Sequence, residues 1–280
     1  MADATPRWLV DVGDRVPLLD QVAHPPIVVG DRVLIAGSQI GYVAVDRERG
    51  AVAWRRPGGQ TLAAPLVVSP HDVVLLGACP QPIAVAADRV VVACFDRLDP
   101  IDRADRVAGV IHAPLADADA CARGTAPWQL RRDGDRFVAS RPGCGLAFTL
   151  PDGAAVRVAA PAPIAPMADD VCQRLADGTP WCQLVVDGAS LVELDGARLP
   201  GLSVLAAARD DRRTAIVVRA DATLRHDVLY ALVDGAVRWS WPLPAPLDDG
   251  GRAAPIGVSI SSAGVFVLFD TSRVAAFAPP

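Results

Sequence analysis

The stretch Pro26-Ile27-Val28-Val29-Gly30-Asp31-Arg32-Val33-Leu34-Ile35-Ala36-Gly37 is followed by Gly41-Tyr42-Val43-Ala44-Val45-Asp46 and by Gly50-Ala51-Val52-Ala53-Trp54-Arg55. It reads as four short strands in a row, each a brief apolar run bounded by Gly or Asp turn residues. Its second half returns at Val228 to Trp239, and its first half at Ala254 to Val258 with Gly264 to Leu268. A recurring four-strand unit predicts an all-β chain, a β-propeller of four-stranded blades.

Composition agrees and closes several reaction classes. Over 280 residues, 51% are apolar and only 5% aromatic, with 23 Gly and 25 Pro. Many short strands separated by turns suit that balance. The whole chain, 1–280, reads as a single propeller domain. There is no Lys and no Asn, all 27 basic residues are Arg, and Glu occurs only at 48 and 193. A chain without Lys forms no side-chain Schiff base, has no P-loop lysine and builds no Ser-Lys nucleophile pair. Without Asn there is no N-glycan site, and turns fall to Asp-Gly pairs such as Asp234-Gly235 and to Pro151-Asp152-Gly153. Net charge is −5, with Arg and Asp alternating over Asp99 to Arg106, Arg131 to Arg136 and Arg209 to Arg213. That is a mixed solvated surface without the basic stripe nucleic acid needs, so nucleic acid is not expected as a partner.

Blades start with a Pro-apolar-apolar strand near Pro26, Ala64, Ile164, Leu202 and Ala254, and a less regular one begins around Trp128. Most starts lie about 40 residues apart, the propeller period. The second unit is longer, with an irregular insertion around 96–126 and a further opening phrase at Pro82 to Ala86. The expectation is therefore six or seven blades. The last unit stops after Arg273 to Phe277 without its fourth strand, while Arg7 to Asp11 at the other end has the look of one. Pairing the N-terminal strand with the C-terminal blade would close the ring and remove two exposed edges.

The cysteines are Cys79, Cys94, Cys121, Cys144, Cys172 and Cys182, with no Cys-x-x-Cys and no His at zinc-finger spacing. An even count without a metal pattern reads as disulfides, for which six cysteines allow fifteen pairings. Cys172 and Cys182 flank the turn signal Asp177-Gly178-Thr179-Pro180, which sets them face to face on a hairpin. Nearest-neighbour pairing adds Cys79 with Cys94 and Cys121 with Cys144. Disulfides imply an oxidising, periplasmic or extracellular location. No apolar run is long enough for a transmembrane helix. Met1 to Pro6 has no basic or apolar signal region, so export implies a signal removed ahead of it, with a lipid anchor where that was a lipoprotein peptide.

The run Gly41 to Trp54, with its Tyr42-Val43-Ala44-Val45-Asp46, Gly50 and Trp54, resembles the repeat of the PQQ-like (pyrroloquinoline quinone-like) propellers, and Val228 to Trp239 resembles it again. The likeness is weaker at Ala254 to Phe277 and at Trp8, and degraded between about residues 80 and 200. The resemblance implies structural roles for Trp8, Trp54 and Trp239, rings filling the wedge between adjacent blades. It also implies one of two functions, a quinoprotein dehydrogenase or a non-catalytic surface for protein partners in the bacterial envelope. The chain departs from the dehydrogenases: it is shorter, has no adjacent Cys pair, and has no Asn for their calcium site.

Other candidates have ordinary readings. His24, His71, His112 and His226 lie apart, beside turns or Pro, outside any metal or nucleophile motif. Asp117, Asp119, Asp169, Asp170, Asp248 and Asp249 follow no calcium-loop spacing and read as turn residues. No Gly-x-Ser-x-Gly elbow is present. The expectation is thus no catalytic, cofactor-binding or metal-binding residue, no cofactor, and a scaffold for protein–protein interaction. The alternative is a small-ligand or quinoprotein-like site in a central funnel.

Overall fold

A computed structural model describes residues 2–3, 5–13, 23–37, 40–56, 65–69, 71–77, 85–86, 88–98, 101, 106–115, 121, 126, 128–160, 172–174, 179–220, 227–243, 254–270 and 272–280. Among the described residues the fold is all-β: six sheets, each an antiparallel four-stranded unit of the propeller-blade type, two of them with a short fifth strand added. Contacts divide the chain into two compact units, residues 20–163 and residues 1–19 with 164–280.

The chain opens with β1 (Ala2–Asp3) and β2 (Trp8–Asp11). The 20–163 unit then holds three blades. The first runs β3 (Ala23–Val29), β4 (Arg32–Gly37), β5 (Gly41–Asp46), β6 (Val52–Arg56). The second has β7 (Leu66–Ser69), β8 (Asp72–Gly77), the two-residue β9 (Val85–Ala86), β10 (Arg89–Leu98) and β11 (Arg106–Pro114), ordered β11-β10-β8-β7 with β9 on β10. The third is β12 (Gln129–Asp133), β13 (Arg136–Arg141), β14 (Cys144–Phe148), β15 (Ala155–Arg157).

In the other unit, the fourth blade is β16 (Cys172–Arg174), β17 (Pro180–Val186), β18 (Ala189–Leu194), β19 (Ala197–Pro200). The fifth is β20 (Ser203–Arg209), β21 (Arg213–Arg219), β22 (Asp227–Val233), β23 (Ala236–Pro242), and the sixth is β24 (Pro255–Ser261), β25 (Gly264–Phe269), β26 (Arg273–Phe277). Strand β2 completes the sixth blade, antiparallel to β26 with Trp8 opposite Ala276, so both ends of the chain meet in one sheet. Strand β1 adds to the free side of β23 in parallel, Ala2 opposite Trp239.

Part of the region expected to be an irregular insertion is ladder: Asp96 to Leu98 pair with Arg106 to Ala108 and β11 runs on to Pro114, while Ile101, Leu115, Cys121 and Ala126 lie outside the strands; β10 also pairs with β8. Its charged residues are compatible with a strand because they have partners; Arg97 clamps the buried Asp72 carboxylate at 2.7 Å. Of the phrase Pro82 to Ala86, which left six or seven blades open, the described residues Val85 and Ala86 form β9 on β10 of this same sheet.

Middle strands are buried on both faces, as in β5 and β14, while the edge strand β6 alternates between half-buried and exposed. The cause is face-to-face packing of successive blades. Val29, Leu34 and Tyr42 of the first blade share a cluster with Val73, Leu75 and Leu98 of the second. Phe95 and Ile111 share one with Phe137, Leu146 and Phe148 of the third. In the other unit Trp181 and Val192 join Ile216 and Tyr230, and Val217 and Trp239 join Val267 and Phe277. Each fully buried large side chain contributes about 1.5–3 kcal/mol, which makes these shared layers the main source of stability.

Trp54 packs against the cluster shared by the first two blades, its indole N–H donating to the Ile101 carbonyl at 3.2 Å. The Trp239 ring lies 5.8 Å from that of Phe277 on the next blade. Trp8 instead meets Phe266 of its own sheet at 6.0 Å. Burial raises the Tyr42 hydroxyl above its ordinary range, and the group stays protonated, donating to the Leu76 carbonyl at 2.5 Å.

Aspartates at hairpin turns give the fold an acid limit. Asp46 is held below the usual carboxylate range by the Arg49 backbone N–H, with Glu48 N–H and Arg32 adding to it. Asp234 is lowered by the Arg212 side chain. Burial pushes Asp210 up, but bonds from the Arg213 side chain and backbone outweigh it and leave it lowered. Folded values below the ordinary 3.8 mean stability that is present above the unfolded pKa and lost as pH falls through the folded ones. The urea midpoint is therefore expected to stay flat from neutral pH to about 4.5 and to drop below it, less steeply in Asp210→Asn. A midpoint that falls already between pH 7 and 5 would contradict this assignment.

Candidate functional site

The described histidines do not form one centre by bonding or ligation. His24 lies half-buried on β3, His71 is exposed in the β7–β8 turn, and His112 sits half-buried on β11. His226, Asp117, Asp119, Asp169, Asp170, Asp248 and Asp249 lie outside the described residues, as does Cys79. Among the described residues no group of three or more His, Cys, Asp or Glu is placed to hold a metal ion.

His112 lines a recess built wholly from described residues. The β10–β11 hairpin is closed at its base by the Leu115 N–H donating to the Asp88 carbonyl at 2.9 Å, which sets Arg89 opposite Pro114. From the third blade comes the turn Thr149 to Gly153, with a cis Leu150–Pro151 bond and the Thr149 hydroxyl donating to Asp152 at 3.0 Å. Gly153 has φ +63°, and a Cβ there would stand 1.9 Å from the Val110 carbonyl oxygen, so only glycine lets the two backbones approach. The His112 N–H donates to the Gly153 carbonyl at 3.2 Å, and His112 and Ala154 form a parallel bridge.

This clasp between two blades of one unit leaves an open cleft of about 250 Å³ lined by Asp88, Arg89, His112, Pro114 and Ala154 to Val156. Its polar groups are one imidazole and an exposed Asp88–Arg89 pair at 3.4 Å, with no hydroxyl or thiol in the lining. Val156 in the lining is 53% exposed, and Leu115, next in sequence to the lining residue Pro114, is 48% exposed. Such a set of groups binds by shape and apolar contact with a few polar anchors. The sequence points to His112 and the 96–126 segment as candidates, but not to Val156 or Arg89. The one signal for the clasp was Pro151-Asp152-Gly153, read there as a turn alone.

The described cysteines are disulfide-bonded. Cys172 and Cys182 are bonded and directly opposite on β16 and β17, and Cys121 is bonded to Cys144. Cys94 is also disulfide-bonded. Beside Cys144 lies Arg141, 4% exposed, its guanidinium 4.4 Å over the Trp128 ring and donating to the Cys121 carbonyl. Burial lowers the Arg141 guanidinium from its usual value.

No protein family and no curated protein matches the chain. Solved structures do. BamB from Moraxella catarrhalis aligns with 91% of this chain and 69% of its own, at 14% identity and TM-score 0.29. A glucose dehydrogenase aligns with 98% of this chain and 99% of its own, at 13% identity and TM-score 0.40. The Cps50 (Swd1) β-propeller domain of Myceliophteria thermophila aligns with 93% and 100%, at 11% identity and TM-score 0.45. Among the described residues no helix is long and apolar enough to cross a membrane.

Proposed function

We propose that this chain is a non-catalytic binding protein, a disulfide-stapled propeller of PQQ-like repeat type that engages a protein partner in an exported or envelope complex, as a BamB-like scaffold would. The observation that carries the reading is the cleft at the β11–β15 clasp. Val156 in its lining and Leu115, the residue after Pro114, stand in solvent where the lining offers a single imidazole and an Arg–Asp pair. Exposed apolar groups on a rigid edge cost solubility unless something covers them, and apolar side chains beside a few polar anchors supply the groups of a protein contact. Export is supported by the disulfides, which persist in oxidising compartments. No bond is made or broken in this mode of action, and no cofactor is needed.

The test is capture from the native organism with the chain as bait, alongside Leu115→Asp/Val156→Asp. Both positions are exposed, so the double variant is expected to fold with an unchanged thermal midpoint and to lose a stoichiometric partner by at least about tenfold. A partner retained at full strength would remove this face from the reading. Substrate turnover abolished by a point change would remove the non-catalytic reading itself.

A further inference from the structure

The two disulfides described in full differ in one respect that points beyond passive stapling. Cys121 and Cys144 are both fully buried, whereas Cys172 and Cys182 are half-exposed and tie the edge strand of their blade to its neighbour. Strand β16 has only three residues, with Gln173 and Arg174 exposed. The Cα atoms of Cys172 and Cys182 are 4.0 Å apart. That spacing belongs to a non-hydrogen-bonded antiparallel pair and leaves Gln173 opposite Trp181 as the hydrogen-bonded one. The covalent bridge thus adds a tie between β16 and β17 to the hydrogen-bonded Gln173–Trp181 pair.

Register places charges around it. Directly opposite Cys182 on its other side stands Glu193, and opposite Glu193 stands Arg198, with the two ion-paired at 2.8 Å. A single row of one sheet face therefore reads Cys172, Cys182, Glu193, Arg198 across four strands. Arg174 lies two residues from Cys172, on the same face of β16.

We infer that Cys172–Cys182 is a thiol–disulfide exchange site whose co-substrate is a dithiol, and that its opening releases β16 and uncovers the edge of β17. A thiolate of the dithiol attacks Sγ of Cys182, forming a mixed disulfide, and the Cys172 sulfur leaves as a thiolate and takes a proton. The second dithiol sulfur then attacks its partner sulfur in the mixed disulfide and expels the Cys182 thiolate, which is protonated in turn. The dithiol loses two electrons and two protons and becomes a disulfide, while the bridge gains them and becomes two thiols. The direction of attack follows from the leaving group: Glu193, directly opposite Cys182, opposes a thiolate at position 182, so Cys172 leaves more readily.

The experiment treats the folded full chain with graded dithiothreitol, quenches by alkylation and maps each cysteine by mass spectrometry, with near-UV circular dichroism followed in parallel. Cys172 and Cys182 are expected to be labelled at least about tenfold faster than Cys121 and Cys144, with tertiary structure unchanged and the bridge re-forming on reoxidation. The Trp181 amide should lose hydrogen-exchange protection in the same step. A trapped glutathione adduct is expected on Cys182, and Glu193→Gln should speed opening about two- to fivefold by removing a negative charge from the path of the attacking thiolate. Opening of both bridges together with unfolding, or opening of Cys121–Cys144 first, overturns the inference. An adduct on Cys172, or an unchanged rate in Glu193→Gln, overturns the assigned direction of attack.

Discussion

Removing the Cys121–Cys144 bridge with the pair Cys121→Ala/Cys144→Ala is expected to lower the free energy of unfolding by about 3 kcal/mol or more. Its loop closes over a sequence separation of 23, for which the loss of unfolded-state entropy alone gives about that figure. The bridge also does local work. Arg141 is opposite Cys144 in the β13–β14 ladder, stacks on Trp128, and donates to the carbonyl of Cys121, the residue the bridge holds in place. A guanidinium buried this deeply depends on every acceptor and ring that faces it, since its desolvation is otherwise uncompensated. Losing the bridge frees Cys121 to withdraw its carbonyl, so the effect should exceed the entropic figure, and Arg141→Met in the bridge-less protein should recover part of it. Urea unfolding monitored by Trp fluorescence reads both numbers. A change under about 1 kcal/mol in the double variant would mean that the unfolded chain is already restrained there.

The order of strands was legible because blade chemistry is local. Asp-Gly turns between apolar runs announce hairpins, and the fold uses them as expected: Asp187 and Gly188 join β17 to β18 with φ of 51° and 81°, the left-handed pair a tight hairpin demands. The register of Cys172 against Cys182 followed from a turn signal at fixed spacing. The strand completing the sixth blade was legible from the absence of a fourth strand after Phe277 and the shape of Arg7 to Asp11.

What escaped the sequence depends on distant partners. The run from Asp96 through Arg106 looks like a loop because charged residues are poor strand formers in isolation, yet Asp72, well outside that run, supplies the carboxylate that makes Arg97 a strand residue. The parallel addition of Ala2–Asp3 to β23 carries no periodicity in two residues. The cleft was illegible for a different reason. Its walls come from two blades, and the contact that joins them rests on a missing side chain at Gly153, a requirement that shows only once Val110 is in place.

Phe148→Ala is expected to lower stability by about 3–5 kcal/mol, the range for a buried aromatic truncated to Ala, and to open the β11–β15 clasp before the rest of the molecule. Phe148 is 1% exposed, with its ring centre 5.5 Å from that of Phe95 and 5.7 Å from that of Phe137. Phe95 is the intermediary. Its ring edge lies where side chains at Gly109 and Gly153 would otherwise stand, at 2.5 and 3.1 Å from their would-be Cβ positions. The aromatic stack therefore props the backbone of both strands that make the clasp. Emptying the Phe148 site lets the Phe95 ring turn into the cavity, since a void of that size removes its contacts on one side. The gap then reopens under Gly109 and Gly153. The readout is the His112 amide, which donates to the Gly153 carbonyl: its hydrogen exchange should accelerate in Phe148→Ala under conditions where amides of β4 and β5 keep their protection. Phe148→Leu, which refills most of the volume, should retain that protection at a smaller loss of stability. Equal acceleration at His112 and in the β4–β5 ladder would show the three blades of this unit opening as one cooperative block, and the clasp would then have no separate stability for a partner to act on.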